Sequence, residues 1–490
     1  METTHTYTRR TPEQSLLYKT LQGHLATFLD TLTQDGKSLP EHVEKELRAY
    51  LGCGILANGF IRVKCSDCKT EHLVAFSCKK RGFCPSCCGK RMTEIASHLV
   101  DNIIPLVPVR QYVLTVPIAL RYWMASNKEL CSAVYKIFAT AVNNYYEEHI
   151  KATSLKNPRS GSVTFTQRFG SALNLNVHFH LMQIEGVYEE KSTGIPKFKT
   201  LPAPTDSNIA NLLNRVSGSI IELLEHKNYL KPEDVDESLM DSLFSEFPIY
   251  AECMAASTQQ KIATGERRGL SVRKLGAGFG FSDELPHITG RLCATVNGFT
   301  LHAARAVPRH QRAQLEQLIQ YAARPALATE RMNLTPEGLI TYRLKTPWKD
   351  GTTHIVLSPI EFIEKLAALI PSPRMHLVRY FGVLSPHSKL RKHVIPGKTR
   401  AQLKEASKKL NPLEDGPKPL INSSWSKLLS RVFGIDIRQC SNCGGEMKII
   451  SSILDPTVAA EILSHLKLSP RAPPIAPSKI KNLGFENFAA

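Results

Sequence analysis

In the stretch LNLNVHFHLMQIEGVY, Leu173 to Tyr188, only Phe179 separates His178 from His180. The run alternates as a strand does. Both imidazoles therefore project to one face, while Val177, Phe179 and Leu181 take the other. Two readings fit: a half-buried strand with two polar positions, or a pair of imidazoles facing one metal ion.

Cysteines are the second group with chemistry in their spacing. CSDC supplies Cys65 and Cys68, and CPSC supplies Cys84 and Cys87, giving C-x2-C-x15-C-x2-C. That is zinc-ribbon spacing, in which two tight knuckles present four thiolates to one tetrahedral ion. Cys53, Cys78 and Cys88 are left over, as substitutes or buried thiols. No acidic residue lies between His72 and Met92, whereas Lys79, Lys80, Arg81, Lys90 and Arg91 do. A basic surface pinned by zinc suits phosphate; a small stability module with a solvated face has the same composition. CSNCGG adds Cys440 and Cys443, either half a zinc site or a tight turn with two thiols.

A third group is a tyrosine. HQRAQLEQLIQYAARPALATER reads as a helix ending near Pro325, with Leu315, Leu318, Ile319 and Ala322 on one face. Tyr321 falls off that stripe, beside Gln314 and Gln317, and is presented outward near Arg324 and Arg331. Taken alone it reads as a surface tyrosine.

These groups need elements to hold them. QYVLTVP predicts a strand ending at Pro117, followed by a long helix over about Asn127 to Lys151, the strand SVTFTQRFG and then the histidine strand. YEEKSTGIPKFKTL predicts a hairpin and its return strand. At the N-terminus, Thr11 is expected to cap a helix with Pro12 in its first turn and an apolar face of Leu17, Leu21, Leu25, Phe28 and Leu32. Five segments are expected: 1–50 helical, 51–100 zinc-binding, 105–345 with the histidine strand, the tyrosine helix and an acidic insertion near 230–250, 346–435 with the basic stretch, and 436–490 with the last C-x2-C pair and a proline-rich tail that is extended or disordered. At 490 residues, several domains are required. A net charge of +18 points to a polyanionic partner, most simply nucleic acid. Nothing reads as a secretory signal or membrane span, so a cytoplasmic, reducing setting is expected, where clustered cysteines bind metal rather than pair. The glycine cluster at Gly276 is a weak phosphate-binding signal, and no G-x4-GK[ST] run occurs, which argues against an ATPase or helicase domain. Between His387 and Leu410 lie eight Lys/Arg residues and one acid, Glu405. That stretch, with Lys389, Arg391 and Lys392, either tracks a DNA backbone or is a solvated linker.

YVLTVP, VHFH and LIQYAARPALATER, in that order after an N-terminal zinc-binding segment, resemble the HUH-type rolling-circle nucleases. The resemblance is to transposases of insertion sequence family 91 and the related insertion-sequence-common-region elements. GFTLHAARAV, LKTPWKDGTTHIVLSP and RYFGVLSPHSKLR extend it over about Leu16 to Pro474. Founding members carry two tyrosines four residues apart; here the residue four before Tyr321 is Gln317. The chain therefore resembles the single-tyrosine branch, which argues against two simultaneous covalent attachments.

The resemblance implies an α+β fold in which a zinc ribbon precedes an HUH domain, an antiparallel sheet with flanking helices and a ferredoxin- or RRM-like core, and a helical basic C-terminal region. It implies Tyr321 as nucleophile and His178 and His180 as ligands of Mg²⁺ or Mn²⁺. Gln167, eleven residues before His178, is the candidate third ligand or a surface strand glutamine. The substrate would be single-stranded DNA at element ends and target, in a bacterial, nucleoid-associated setting with the host replication machinery, and the product a 5′-phosphotyrosine. Arg324 and Arg331 would contact DNA. Two other readings stand beside this one: a non-catalytic zinc-ribbon DNA-binding regulator, and a plasmid replication initiator or relaxase.

Overall fold

The structure, a computed structural model, describes residues 10–34, 38–150, 157–189, 196–229, 242–275, 290–348, 350–397 and 439–480. The glycine cluster, most of the acidic insertion and residues 398–410 of the basic stretch lie outside them. In chain order the elements are α1 (Leu16–Gln34), α2 (Glu41–Leu51), β1 (Phe60–Cys65), β2 (Glu71–Ala75), α3 (Pro85–His98), β3 (Val109–Thr115), α4 (Ile118–Ser126) and α5 (Lys128–His149). There follow β4 (Gly161–Phe169), β5 (Leu175–Ile184), β6 (Gly186–Glu189), β7 (Lys197–Thr200), α6 (Asp206–His226), α7 (Ser242–Glu246), α8 (Pro248–Thr258), β8 (Arg273–Leu275), β9 (Cys293–Val296) and β10 (Phe299–Val307). The remainder are α9 (Arg312–Ala323), β11 (Met332–Leu334), β12 (Ile340–Arg343), β13 (His354–Leu357), α10 (Pro359–Leu369), β14 (Val378–Gly382), α11 (Arg391–Val394), β15 (Met447–Ile453) and α12 (Pro456–His465).

The fold is α+β. Its centre is a six-stranded antiparallel sheet in the order β14-β4-β5-β3-β10-β9. β14 lies beyond residue 345, so the sheet runs past the boundary expected from the sequence. Helices α4, α5, α6 and α8 pack against the sheet within the larger core. On the other face, Ala96, Leu99, Ile319 and Ala322 from the α3 and α9 regions meet Val163, Phe165, Met182 and Ile184. β4 is buried along its whole length although it carries Ser162, Thr164, Thr166, Gln167 and Arg168. Covered on both sides, it has no solvent face for its polar residues, and they must find partners inside.

α1 buries the expected face of Leu17, Leu21, Leu25, Phe28 and Leu32. Its cap differs from expectation. Pro12–Gln14 forms a separate 3-10 turn in which Thr11 makes no side-chain cap, and the Ser15 hydroxyl accepts from Tyr18 N at 3.2 Å instead. Ser15 breaks the turn with extended backbone and takes the position that Thr11 is one turn too early to fill. α10 starts with a full capping box, Ser358 with Glu361, and is buried on all sides. The Glu364 carboxylate accepts from Ala263 N, Thr264 N and the Thr264 hydroxyl, which satisfies an otherwise costly buried charge.

The C-terminal segment returns to the N-terminal module. β15 adds antiparallel to β1, giving the order β15-β1-β2. The proline-rich tail is extended along α1, with Ala476 N donating to Gln22 O at 3.0 Å and Gln22 Nε2 to Pro474 O at 2.7 Å.

Candidate functional site

β5 lies in the middle of the sheet, flanked by β3 and β4. His178 stands opposite Gln167 on β4 and Thr115 on β3, and His180 opposite Phe165 and Val113. Directly opposed residues share a face, so Gln167 and both histidines look the same way. The two imidazole centroids are 5.1 Å apart.

α9 brings Tyr321 to this face. Its ring centroid is 6.0 Å from that of His180, edge-on at 81°. Gln167 fixes the helix: its Nε2 donates to Tyr321 O at 2.9 Å and to Ala322 O at 2.8 Å. These carbonyls belong to the last turn, which has no intrahelical partners for them. Gln167 therefore docks the end of the tyrosine helix onto the histidine strand.

The remaining lone pairs show what the site could hold. The Asn176 carbonyl lies 2.8 Å from His178 Nδ1 and accepts its proton, leaving Nε2 as the lone-pair nitrogen. His180 Nδ1 lies 2.9 Å from Gln111 Nε2, while His180 Nε2 is buried without a partner. A carboxamide has the same outline either way round. Turned so that its oxygen rather than its nitrogen faces Nδ1, Gln111 would accept the proton there and leave Nε2 free to ligate. Gln167 Oε1 is likewise buried and unpartnered. Two imidazole nitrogens and an amide oxygen suit a divalent cation, so the residues fit the ion expected from the sequence. Both histidines are held neutral. Burial, opposed by the Asn176 carbonyl and reinforced by the charges of Arg324 and Arg121, takes His178 down to about 4. Burial and then the charges of His178 and Arg324 take His180 well below its ordinary range.

Tyr321 is 38 % exposed. The Arg324 guanidinium lies 4.4 Å and the Lys345 ammonium 4.3 Å from its ring centroid. Lys345, like Gln111, carries no signal in the sequence. It sits in a different segment and reaches the tyrosine only through the fold. Arg324 is the candidate DNA contact nearest the site, with Nε buried and unpartnered. Arg331 is committed elsewhere, donating through Nη2 to Ser171 O at 2.9 Å and through Nε to Arg343 O, and lying over the Tyr342 ring. Arg81 is also engaged, through Met375 O at 2.7 Å and Ser372 O at 3.2 Å. Lys79, Lys389 and Lys392 are exposed, Lys80 is half-buried, and Arg391 lies over the Tyr380 ring. A cavity of about 240 Å³ joins the zinc module to the site. Arg81, Arg91, Gln167, Arg324 and His376 are among its lining residues, and no carboxylate is.

The quartet read from the sequence, Cys65, Cys68, Cys84 and Cys87, is not brought together. Cys84 and Cys87 meet Cys53 and Cys78, with Sγ–Sγ distances of 3.6 Å for Cys53–Cys84, 3.7 Å for Cys53–Cys87 and 3.5 Å for Cys78–Cys87. Cys65 and Cys68 instead meet Cys440 and Cys443. Two C-x2-C pairs at ribbon spacing can join each other or find other partners, and spacing alone does not choose. Here Cys65 and Cys68 sit at the turn end of the β1–β2 hairpin, while Cys53 precedes β1 and Cys78 follows β2 at its other end. Cys88 stays outside both clusters as a buried thiol, pushed up to about 12 chiefly by burial. The first quartet fits structural zinc: four thiols at bond lengths of about 2.3 Å to a tetrahedral ion stand about 3.8 Å apart.

Among the described residues, no helix is long and apolar enough to cross a membrane. Residues 20–116 match the family model described as "Transposase zinc-binding domain", that of the insertion sequence 91 transposases, and residues 161–392 match the one described as "Putative transposase". No curated protein and no solved structure matches the chain. The first match contains the whole Cys53–Cys87 quartet, and the second contains the histidine strand, Gln167 and the tyrosine helix. With the zinc-binding and transposase regions in sequence over more than half its length, the chain belongs to the transposases of insertion sequence family 91.

Proposed function

We propose that this transposase nicks and rejoins single-stranded DNA through Tyr321, by the rolling-circle route of a single-tyrosine HUH enzyme. The observation that carries the reading is the convergence of Tyr321, His178, His180 and Gln167 on one sheet face, with Gln167 bonded to the carbonyl of the tyrosine itself.

His178, His180 and Gln167 would hold Mg²⁺ or Mn²⁺. Bound there, the ion polarises the scissile phosphate. The other parts belong to the chain. Tyr321 presents its hydroxyl from a rigid helix end, open to solvent, which can take the phenolic proton. Arg324 and Lys345 put positive charge where the phenolate and the phosphorane oxygens develop negative charge. Attack by the tyrosine oxygen forms the Tyr–O–P bond and breaks P–O3′; the departing 3′ oxygen takes a proton from water. The product is a 5′-phosphotyrosine and a free 3′-hydroxyl. When a second 3′-hydroxyl attacks that phosphorus, the tyrosine leaves and the strand is sealed. One phosphodiester is exchanged for another, so no nucleotide hydrolysis is needed. The basic cavity beside Gln167 and Arg324 would offer phosphates a positive surface next to the site.

Tyr321→Phe tests this. Incubated with single-stranded end oligonucleotides and Mn²⁺, the wild type should form a covalent adduct that peptide mapping places at Tyr321. The variant should form none while binding the same DNA. An adduct on another residue would move the nucleophile away from Tyr321, and none in the wild type with its own element ends would transfer the reading to the DNA-binding regulator.

A further inference from the structure

The second cysteine cluster joins the two ends of the chain. Cys65 Sγ lies 3.5 Å from Cys443 Sγ, and Cys68 Sγ 3.5 Å from Cys440 Sγ, across 378 and 372 residues. All four sulfurs fall within 4.8 Å of one another. This is too far for disulfides, whose S–S bond is about 2.05 Å, and close to the tetrahedral thiolate spacing.

The surrounding backbone is built for it. Each pair sits on its own tight turn: Cys65 N donates to Thr70 O at 2.8 Å, and Cys440 N to Gly445 O at 2.7 Å. The turns are also tied together, with Ser66 N donating to Glu446 O at 2.9 Å. Gly445 is required by the close approach, since a Cβ there would overlap the Asp67 carboxylate and stand 3.1 Å from Cys65 Sγ. From this point β15 runs along β1, from Cys65↔Met447 to Phe60↔Ile453, with one register shift. α12 then sets Ala459 and Leu463 against Leu56 and Phe60. Gly59, at φ +105°, lies where a Cβ would come within 2.8 Å of Ile453 O and the Phe76 ring.

We propose that Cys65, Cys68, Cys440 and Cys443 bind a second zinc ion, which acts as a clasp fastening the C-terminal segment to the N-terminal module. Over its described residues the segment has one strand and one short helix, too little apolar surface for independent stability. The metal supplies what that small interface lacks, and it closes a loop spanning most of the chain. Removing it frees β15, α12 and the tail from the module, while the first zinc and the six-stranded sheet stay in place.

The test counts metal in the full-length protein. Elemental analysis should give two zinc ions per chain, and one in Cys440→Ser/Cys443→Ser. Reconstitution with Co²⁺ should give thiolate charge-transfer absorption that falls twofold in the variant. Unchanged circular dichroism of the sheet would show that the variant is folded. Cleavage at a protease site inserted in 398–438 should leave the C-terminal fragment bound in gel filtration, and the variant should release it. One zinc in the wild type, two in the variant, or a fragment that stays bound without the second metal would each overturn the clasp.

Discussion

The two cysteine quartets use the same atoms at nearly the same distances, yet they are set in different surroundings. Cys53, Cys78, Cys84 and Cys87 come from 35 consecutive residues, and three of the four are buried. Cys53, Cys84 and Cys87 belong to the main core, where Phe83 packs on Tyr50 at 5.3 Å. The Cys78 amide also lies 3.4 Å from Cys53 Sγ. Cys65, Cys68, Cys440 and Cys443 come from opposite ends of the chain, with Cys68 and Cys443 exposed. Their local core is a four-residue cluster of Val63, Cys65, Cys440 and Met447. A site continuous with the core shares its stability with everything packed on it, whereas a peripheral one stabilises only what it joins. The first quartet should act as a foundation and the second as a fastener.

The largest effect should follow from breaking the first. Structural thiolate sites contribute on the order of 10 kcal/mol of apparent zinc-binding free energy, comparable to the stability of a whole domain. Cys84→Ser should therefore abolish cooperative thermal unfolding of the N-terminal module and the sheet edge beneath it. If the variant melts like wild type, the first quartet is not a foundation and the contrast fails.

A smaller effect should be confined to the fastener. Leu463 is fully buried against Leu56 and Phe60. Leu463→Ala should cost about 2–5 kcal/mol, all of it within the C-terminal unit. Hydrogen exchange should quicken in β15 and α12 and stay unchanged in β3, β4 and β5. Loss of protection across the central sheet would mean that the two regions form one cooperative unit.

The histidine pair offers the mildest perturbation, without touching either quartet. Both imidazoles titrate below their ordinary value of about 6.5. Above that pH, folded and unfolded chains are alike neutral at these positions and nothing is lost. As pH falls through it, the unfolded chain takes up protons that the folded chain refuses, so stability declines, by up to about 1.4 kcal/mol per imidazole per pH unit. For His178 the decline ends near 4, where the folded imidazole is itself protonated. In protein without added Mg²⁺ or Mn²⁺, His178→Gln/His180→Gln should flatten denaturant midpoints between pH 6.5 and 5, leaving any acid loss that belongs to zinc release. An unchanged slope would mean that the imidazoles are not held neutral.

Local patterns were legible without a structure. The histidine pair needs only the two-residue repeat of a strand, and Tyr321 only the helical period that leaves it off the apolar stripe. Each C-x2-C pair is a single turn. The α+β class agrees with the alternation of strand and helix patterns, the order of the regions came with the family resemblance, and the charge of the chain agrees with a DNA-processing function. What could not be read was every choice among distant partners. Gln111 and Lys345 reach the site through strand register and loop packing. Arg331, close to Tyr321 in sequence, turns to Ser171 and Arg343.

The amino-acid order thus determined which groups share a strand face, a turn or a helix flank, because each motif closes within a few residues of backbone. Only the tertiary structure decided which motif meets which. For the cysteines the partner was set by β15 crossing to β1 from the far end of the chain, since a thiolate pair binds whatever pair the strands place opposite it.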